Sequence, residues 1–362
     1  MLNDQYQPNI AIHPGETLLD ILASLNMSQV DLAERTGLTP KTINEIVKGK
    51  NPITPDTAIK LAAVFGTSAT FWNNLERNYQ EILTRLKTDE LLKKEVSHLK
   101  NFSCYGELQK LGYVSNTKNQ AEKVKNILNF FSIGSLELLP NTQEIAFRQI
   151  KFKNLSNESL AAWLRCGEIE AQKIDTQVFD KNKMINSLKE LRAISQEKIG
   201  LWEDKIKEIC ASFGVAIVSI PYFKNTYACG ATRWLNPNKA MIQLSLRGHY
   251  SDSIWFTLFH ELAHLIIHGK KEQFIEFDEH QNDRSLVKEK EADIFARDAL
   301  IAKNDYIQFR RKQDLSDEAI KNFARQLNLH PSIIAGRLSH DFKNYKRFSH
   351  LRTRIVFEKT AN

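Results

Sequence analysis

The chain has 362 residues, 42% of them hydrophobic and 26% charged, with a formal net charge of +7. That length exceeds one ordinary core and implies two or three domains, and the apolar content excludes a wholly disordered chain. The opening "MLNDQYQPNIAIHPGE" lacks the basic flank and apolar core of a secretory leader, and no apolar run is long enough to span a membrane. The expectation is a cytoplasmic protein with no membrane partner. The four cysteines (Cys104, Cys166, Cys210, Cys229) form no Cys-x-x-Cys pair and read as reduced thiols. The charge is uneven. Residues 1–87 hold 8 Lys/Arg against 9 Asp/Glu, whereas residues 303–362 hold 13 against 6. The basic excess therefore reads as a solvated C-terminal tail, expected over residues 346–362.

In chain order, residues 1–87 spell short helices with clear punctuation. "HPGETLLDILASLN" repeats Leu18, Ile21, Leu22 and Leu25 at helical spacing. "MSQVDLAERTG" starts at Ser28 as N-cap and stops at Gly37. "LTPKTINEIVKGK" has Thr39 as cap and Pro40 at the first helical position, ending at Gly49. "ITPDTAIKLAAVFG" repeats this grammar with Thr54, Pro55 and Gly66. "TSATFWNNLERNYQEILTRLK" makes a fifth helix.

The second and third helices have the make-up of a helix-turn-helix, with small Ala33 at their approach and Gly37 in the turn. Leu38, Ile43, Ile46 and Val47 form the buried side of the third helix. Thr39, Lys41, Thr42, Asn44 and Glu45 then lie nearer its exposed side, where they could reach base edges, while Gln29 and Lys48 could hold phosphates. Near-neutral charge implies modest non-specific affinity for DNA. The block from "IHPGETLLDIL" through "ITPDTAIKLAAVFGTSATFWNNLERNY" resembles HigA-type antitoxins, a branch of the XRE-like regulators. That resemblance implies a lambda-repressor-like fold, a homodimer and a two-fold double-stranded operator as partner.

Residues 88–159 read as a helical linker region with no legible function. Beyond it, "AAWLRCGEIEAQKI" and "MINSLKELRAISQ" are helices, "GVAIVSIPYF" is a strand, and "YACGATRWLNPNKAMIQLSL" is a hairpin turning at "NPNK". The strand "KAMIQLSL" could offer an edge to an extended peptide.

"WFTLFHELAHLIIHGKK" then places two histidines and a glutamate in an apolar helix, where polar side chains need a reason. Residues four apart share a helix face, so His260 and His264 can aim ring nitrogens at one ion, with Glu261 flanking the opening. His268 is excluded from that ion, since it lies about 12 Å from His260 along a straight helix. A third ligand must come from another element. In "SLVKEKEADIFARDALIA", Glu291 falls on the side of Val287, Ile294 and Phe295 and would interrupt an apolar face. Glu289 falls nearer Asp293 and reads as more solvated. A plain salt bridge at Glu291 remains the competing reading.

From about residue 160 to residue 340 the chain resembles the ImmA/IrrE family of gluzincin-like metallopeptidases. The likeness is carried by "AAWLRCGEIEA", "GVAIVSIP", "GATRW", "WFTLFHELAHLIIH", "EKEADIFARDALI" and "HPSIIAGRLSH". It implies a zinc peptidase domain over residues 160–345, with His260, His264 and Glu291 as ligands and Glu261 as general base. Tyr227, Tyr250 and His340 are candidates to stabilise the oxyanion. "LIA" at 300–302 departs from the family, many of whose members have a proline there. The expected fold is α+β and mainly helical: a five-helix DNA-binding domain, a helical region, and a small-sheet zincin domain. Two functions stay open. One is a DNA-binding regulator whose zinc endopeptidase cleaves a cytosolic repressor or antitoxin. The other is an antitoxin-like repressor whose zincin domain is a non-proteolytic sensor or binds a toxin or repressor partner.

Overall fold

The computed structural model describes residues 10–142, 154–197, 202–245, 250–269, 274–277 and 285–355. Its packing separates two compact units, residues 1–97 with 119–125, and residues 98–118 with 126–362.

The first unit carries α1 (Pro14–Ser24), α2 (Gln29–Thr36), α3 (Pro40–Val47), α4 (Pro55–Phe65) and α5 (Ala69–Glu95). The caps are those the sequence spells. Ser28 and Asp31 form a reciprocal capping box on α2, and Thr39 and Thr54 accept from Thr42 N and Thr57 N ahead of Pro40 and Pro55. Gly37 and Gly66 close α2 and α4 with φ of 68° and 67°. Leu18, Leu22, Leu32, Ala33, Ile43, Ile46, Leu61 and Trp72 make the core. Leu25, expected on the apolar stripe of α1, is 53% exposed because the helix ends there and Leu25 is its C-cap. The "HPGE" segment sets how α1 meets α3. His13 Nδ1 accepts from Gly15 N at 2.9 Å, and a Cβ on Gly15 would strike the carbonyl oxygens of Ile46 and Val47. α5 continues to Glu95, so the boundary expected at residue 87 falls inside a helix. Its sequence "LKTDELLKKE" contains no glycine, proline or capping signal to stop it.

In the second unit, α6 (Tyr105–Lys110), the end of α7 (Gln120–Phe131) and α8 (Leu139–Thr142) lie in the stretch expected as linker. Leu108, Phe130 and Phe131 are buried there, Tyr113 Oη donates to Glu170 at 2.8 Å, and Arg165 Nε donates to the Phe130 carbonyl at 3.1 Å. Much of the stretch therefore packs as part of this unit. Residues 143–153 of it lie outside the described residues.

Three helices follow, α9 (Asn157–Lys173), α10 (Lys181–Ile194) and α11 (Trp202–Ser212), then β1 (Val215–Ile220), β2 (Ala228–Asn236) and β3 (Lys239–Ser245). After these come α12 (Ser251–Ile267), β4 (Phe274–Phe277), α13 (Ser285–Leu300), α14 (Lys303–Arg311), α15 (Asp317–Leu327) and α16 (Pro331–Asp341). The sheet order is β1-β3-β2-β4, with β1 and β3 parallel and the other pairs antiparallel. β2 and β3 form the expected hairpin. β3 pairs on both sides, however, so "KAMIQLSL" offers no free edge to a peptide. Gly167 lets α9 lie on β3, since a Cβ there would strike Gln243, whose amide donates to the Trp163 carbonyl at 2.7 Å.

The expected basic tail is also revised. Phe348 and Ile355 are buried, and Arg352 reaches Asp252 at 2.8 Å with both side chains nearly covered. Ser251 N donates to the Thr353 carbonyl at 2.9 Å. Apolar residues set between the charges seat residues 346–355 against the start of α12. Residues 356–362 lie outside the described residues. No helix of the described residues is long and apolar enough to cross a membrane.

Candidate metal centre and nucleic-acid interface

α12 is buried along most of its length, packed between the sheet and the helices α13 and α16. His260 and His264 are each 1% exposed and Glu261 is fully buried. Their spacing turns both imidazoles to one side. Their Nε2 atoms lie 3.0 Å apart, and Glu289 Oε2 from α13 sits 3.0 Å and 3.4 Å from them. Among the described residues these three form the group of side chains close enough to share an ion. A tetrahedral zinc with bonds of about 2.0–2.1 Å holds its ligand atoms about 3.3 Å apart, so the spacing fits.

Protonation fits as well. Asp293 Oδ1 lies 2.9 Å from His260 Nδ1. A carboxylate only accepts, so Nδ1 carries a proton, and an ion at the centre would take the Nε2 lone pair beside Glu289. Burial holds the His264 imidazole below its ordinary range. Burial works against the Glu289 carboxylate, but hydrogen bonds donated by His260 and His264 and their charge outweigh it and bring Glu289 down to about 2, and an entering ion would displace those protons. A neutral imidazole and an ionised carboxylate are the forms a cation needs.

The third member thus differs from the residue expected. Glu291 is 51% exposed and meets His268, its Oε2 lying 3.0 Å from His268 Nε2. Val287 and Ile294, which were to define a buried face, are 60% and 50% exposed. The face of α13 turned to α12 is a stripe of small residues, Ala292 and Ala296, with Leu300 beyond. Glu289 and Asp293, four residues apart, flank that stripe. Sequence reasoning weighted the large apolar side chains and missed the alanines, which were the available signal.

Glu261 is held by β2. Thr232 Oγ1 lies 2.5 Å from Glu261 Oε2, and a Cβ on Gly230 would strike Glu261 Oε1. Gly230 and Thr232 share one face of the strand. One makes room for the carboxylate and the other supplies a hydroxyl. The motif "GATRW" contains both, but the sequence assigns neither a role.

The three oxyanion candidates separate. The His340 side chain is 74% exposed and pairs with Asp341 at 3.6 Å. Tyr250 is the N-cap of α12, ten residues and about 15 Å along the helix from His260, with Arg352 over its ring at 4.2 Å. Tyr227 is half-buried, has a left-handed φ of 54°, and directly precedes the strand that holds Glu261.

In the first unit, α3 presents Lys41, whose side chain is 83% exposed, beside half-buried Thr42, Asn44 and Glu45, with exposed Lys48 as its C-cap. Gln29 opens α2. Three of the candidate groups are already engaged. Thr39 Oγ1 caps α3 and lies 2.9 Å from Thr42 Oγ1, and Glu45 Oε2 accepts from Asn51 Nδ2 at 2.6 Å.

Residues 18–72 match the family described as helix-turn-helix, and residues 210–339 match a peptidase family described as the IrrE N-terminal-like domain. The chain is 41% identical over 70 residues to virulence-associated protein I of Dichelobacter nodosus, a match covering 19% of this chain and 65% of that protein. It is 36% identical over 63 residues to the uncharacterized HTH-type transcriptional regulator YddM of Escherichia coli strain K12, covering 17% of this chain and 67% of that protein. Among solved structures, an addiction module antidote protein of the HigA family from Coxiella burnetii is 36% identical, covering 23% of this chain and 92% of that one, with a TM-score of 0.22. The antitoxin HigA of Pseudomonas aeruginosa, solved with the higBA promoter, is 32% identical over 24% of this chain and 94% of that one, with a TM-score of 0.23. The chain belongs to the XRE-like helix-turn-helix regulators and carries an IrrE N-terminal-like domain of the metallopeptidase type in its second unit.

Proposed function

We propose that this chain is a cytoplasmic, homodimeric regulator that binds a two-fold operator through α2 and α3, and that its second unit is a zinc endopeptidase acting on a regulatory protein, a repressor or antitoxin. The observation that carries the peptidase reading is the group of His260, His264 and Glu289 beside fully buried Glu261. His260, His264 and Glu289 would hold the zinc, and Asp293 would orient His260 through Nδ1. Bound there, zinc supplies Lewis-acid polarisation of a scissile carbonyl and of water. Glu261 takes a proton at its carboxylate and hands it to the leaving amine. Thr232 holds that carboxylate at Oε2, which limits its rotation. Tyr227 is the oxyanion candidate we retain, because it adjoins the strand that cradles Glu261.

The second reading, a non-proteolytic sensor, draws support from the complete burial of Glu261. Cells producing wild type or Glu261→Gln separate the two. Quantitative proteomics reads proteins lost with new N-termini, and a promoter reporter reads repression. Substrate loss confined to wild type, with repression equal in both, supports the peptidase. Identical proteomes with repression retained support the sensor.

A further inference from the structure

His268 lies one helical turn beyond His264, and its Nδ1 is 3.0 Å from His264 Nδ1. Its other nitrogen, Nε2, is 3.0 Å from Glu291 Oε2. Phe274 of β4 stacks on the His264 ring at 3.9 Å and 14° and fixes its plane. The His268 side chain is 4% exposed, so water does not readily replace these contacts, whereas Glu291 reaches solvent.

With a cation at the centre, the protons along this row are set from its outer end. A carboxylate accepts and does not donate, so His268 must place its proton on Nε2. A singly protonated imidazole then offers a bare Nδ1. Only one proton fits between two Nδ1 atoms 3.0 Å apart, so it sits on His264. That leaves the His264 Nε2 lone pair pointing at His260 and Glu289. The opposite arrangement sets two lone pairs against each other at Glu291 and turns an N–H of His264 into the centre, where a cation cannot use it.

We propose that Glu291 and His268 are positioning residues for the metal centre, a two-link relay by which a surface carboxylate sets the tautomer of the buried ligand His264 and so the affinity for zinc. This rests on the zinc reading of His260, His264 and Glu289 given above. It also gives Glu291 a role other than ligand, and makes the third histidine of "HELAHLIIH" part of the site without touching the ion.

The test uses the full chain, stripped of metal and titrated with zinc against a fluorescent chelator. His268→Ala and Glu291→Leu are expected to bind one zinc with about 10–100-fold weaker affinity, the usual consequence of losing an outer partner of a ligand. His268→Gln, whose amide oxygen can accept from His264 Nδ1–H, is expected to recover most of the loss. Long-range proton–nitrogen NMR of the zinc-loaded protein is expected to show the His264 proton on Nδ1. The melting temperature of the stripped protein is expected to be the same for wild type and Glu291→Leu, because Glu291 lies at the surface. Wild-type affinity in both His268→Ala and Glu291→Leu, with wild type itself binding zinc, overturns the relay and leaves the metal centre standing. Loss of stoichiometric zinc in Glu291→Leu with retention in Glu289→Ala would make Glu291 the ligand and overturn it too. No zinc binding by wild type removes both readings at once.

Discussion

Thr232 Oγ1 sits 2.5 Å from Glu261 Oε2, joining strand β2 to the glutamate of the His-Glu-x-x-His motif inside the core. The same hydroxyl is 3.2 Å from the Glu261 carbonyl. It has one proton, and the shorter contact, to the carboxylate, is the one that takes it. Replacing Thr232 by valine keeps the shape and removes the donor. A buried carboxylate that loses a charge-assisted bond costs about 1.5–3 kcal/mol. Urea denaturation is expected to show that loss for Thr232→Val. In a Glu261→Gln background the same substitution should cost less, because no charge is left uncompensated. Equal losses in the two backgrounds would separate Thr232 from the carboxylate.

Elemental analysis of protein purified without chelators is expected to find one zinc per chain. Glu289→Ala and the double variant His260→Ala, His264→Ala are expected to lose it, since each removes a donor of the close group. His268→Ala is expected to retain zinc at saturating concentration, because His268 acts behind His264. Full zinc content in Glu289→Ala would refute the assignment of the third ligand.

Much of the fold is legible in the sequence, and the failures have physical causes. Local signals carried far: Ser28, Thr39 and Thr54 cap where the sequence places them, and Gly37 and Gly66 close their helices. The histidine pair also declared itself, because polar groups in a greasy helix need a partner. The identity of that partner depended on how α13 is turned against α12. Large apolar residues usually mark a buried face, but here close helix packing selects Ala292 and Ala296 and leaves Val287 and Ile294 outside. A wheel drawn on the larger residues therefore rotated Glu291 inward and Glu289 outward. The roles of Thr232 and Gly230, within "GATRW", were illegible for a different reason. Their role needs a contact between residues 29 positions or more apart, and nothing local records it.

Selective DNA binding is expected to depend on Lys41 and Asn44 and to be indifferent to zinc. Lys41 is exposed on α3, and Asn44 lies one turn further along the same helix. Each good base contact discriminates by about 1–3 kcal/mol, so Lys41→Ala with Asn44→Ala should remove most of the preference for operator over competitor DNA. Mobility-shift assays on the full chain, with and without chelator, test this. Operator preference unchanged in the double variant would place the reading surface elsewhere.

Asp252 and Arg352 form a buried ion pair that fastens the C-terminal residues to the start of α12, with side chains 9% and 8% exposed. Burial holds the Asp252 carboxyl above its ordinary range even with the guanidinium against it. Removing one member of such a pair leaves the other charge buried, at a cost of about 3–5 kcal/mol. Arg352→Ala is therefore expected to lower the melting temperature strongly. A change of only a degree or two would mean that these residues hang free as a tail.

Asp341 gives a stability effect that depends on acid. Burial disfavours its charge, but the Tyr306 hydroxyl, 2.7 Å away, and the Arg337 and His340 charges outweigh this and set its pKa below the ordinary 3.8. A carboxylate depressed in the folded state stabilises the fold fully above its unfolded value, and that contribution fades as pH falls through the folded value. Asp341→Asn should therefore cost about 1–3 kcal/mol at pH 7, where the wild-type group is ionised. The gap between the two proteins should narrow once pH drops below 3.8 and the wild-type carboxylate takes up its proton. Urea denaturation of both proteins at pH 7 and pH 3 measures it. A gap that stays constant or widens with acid would show that Asp341 does not enter the folded state as the anion of this cluster.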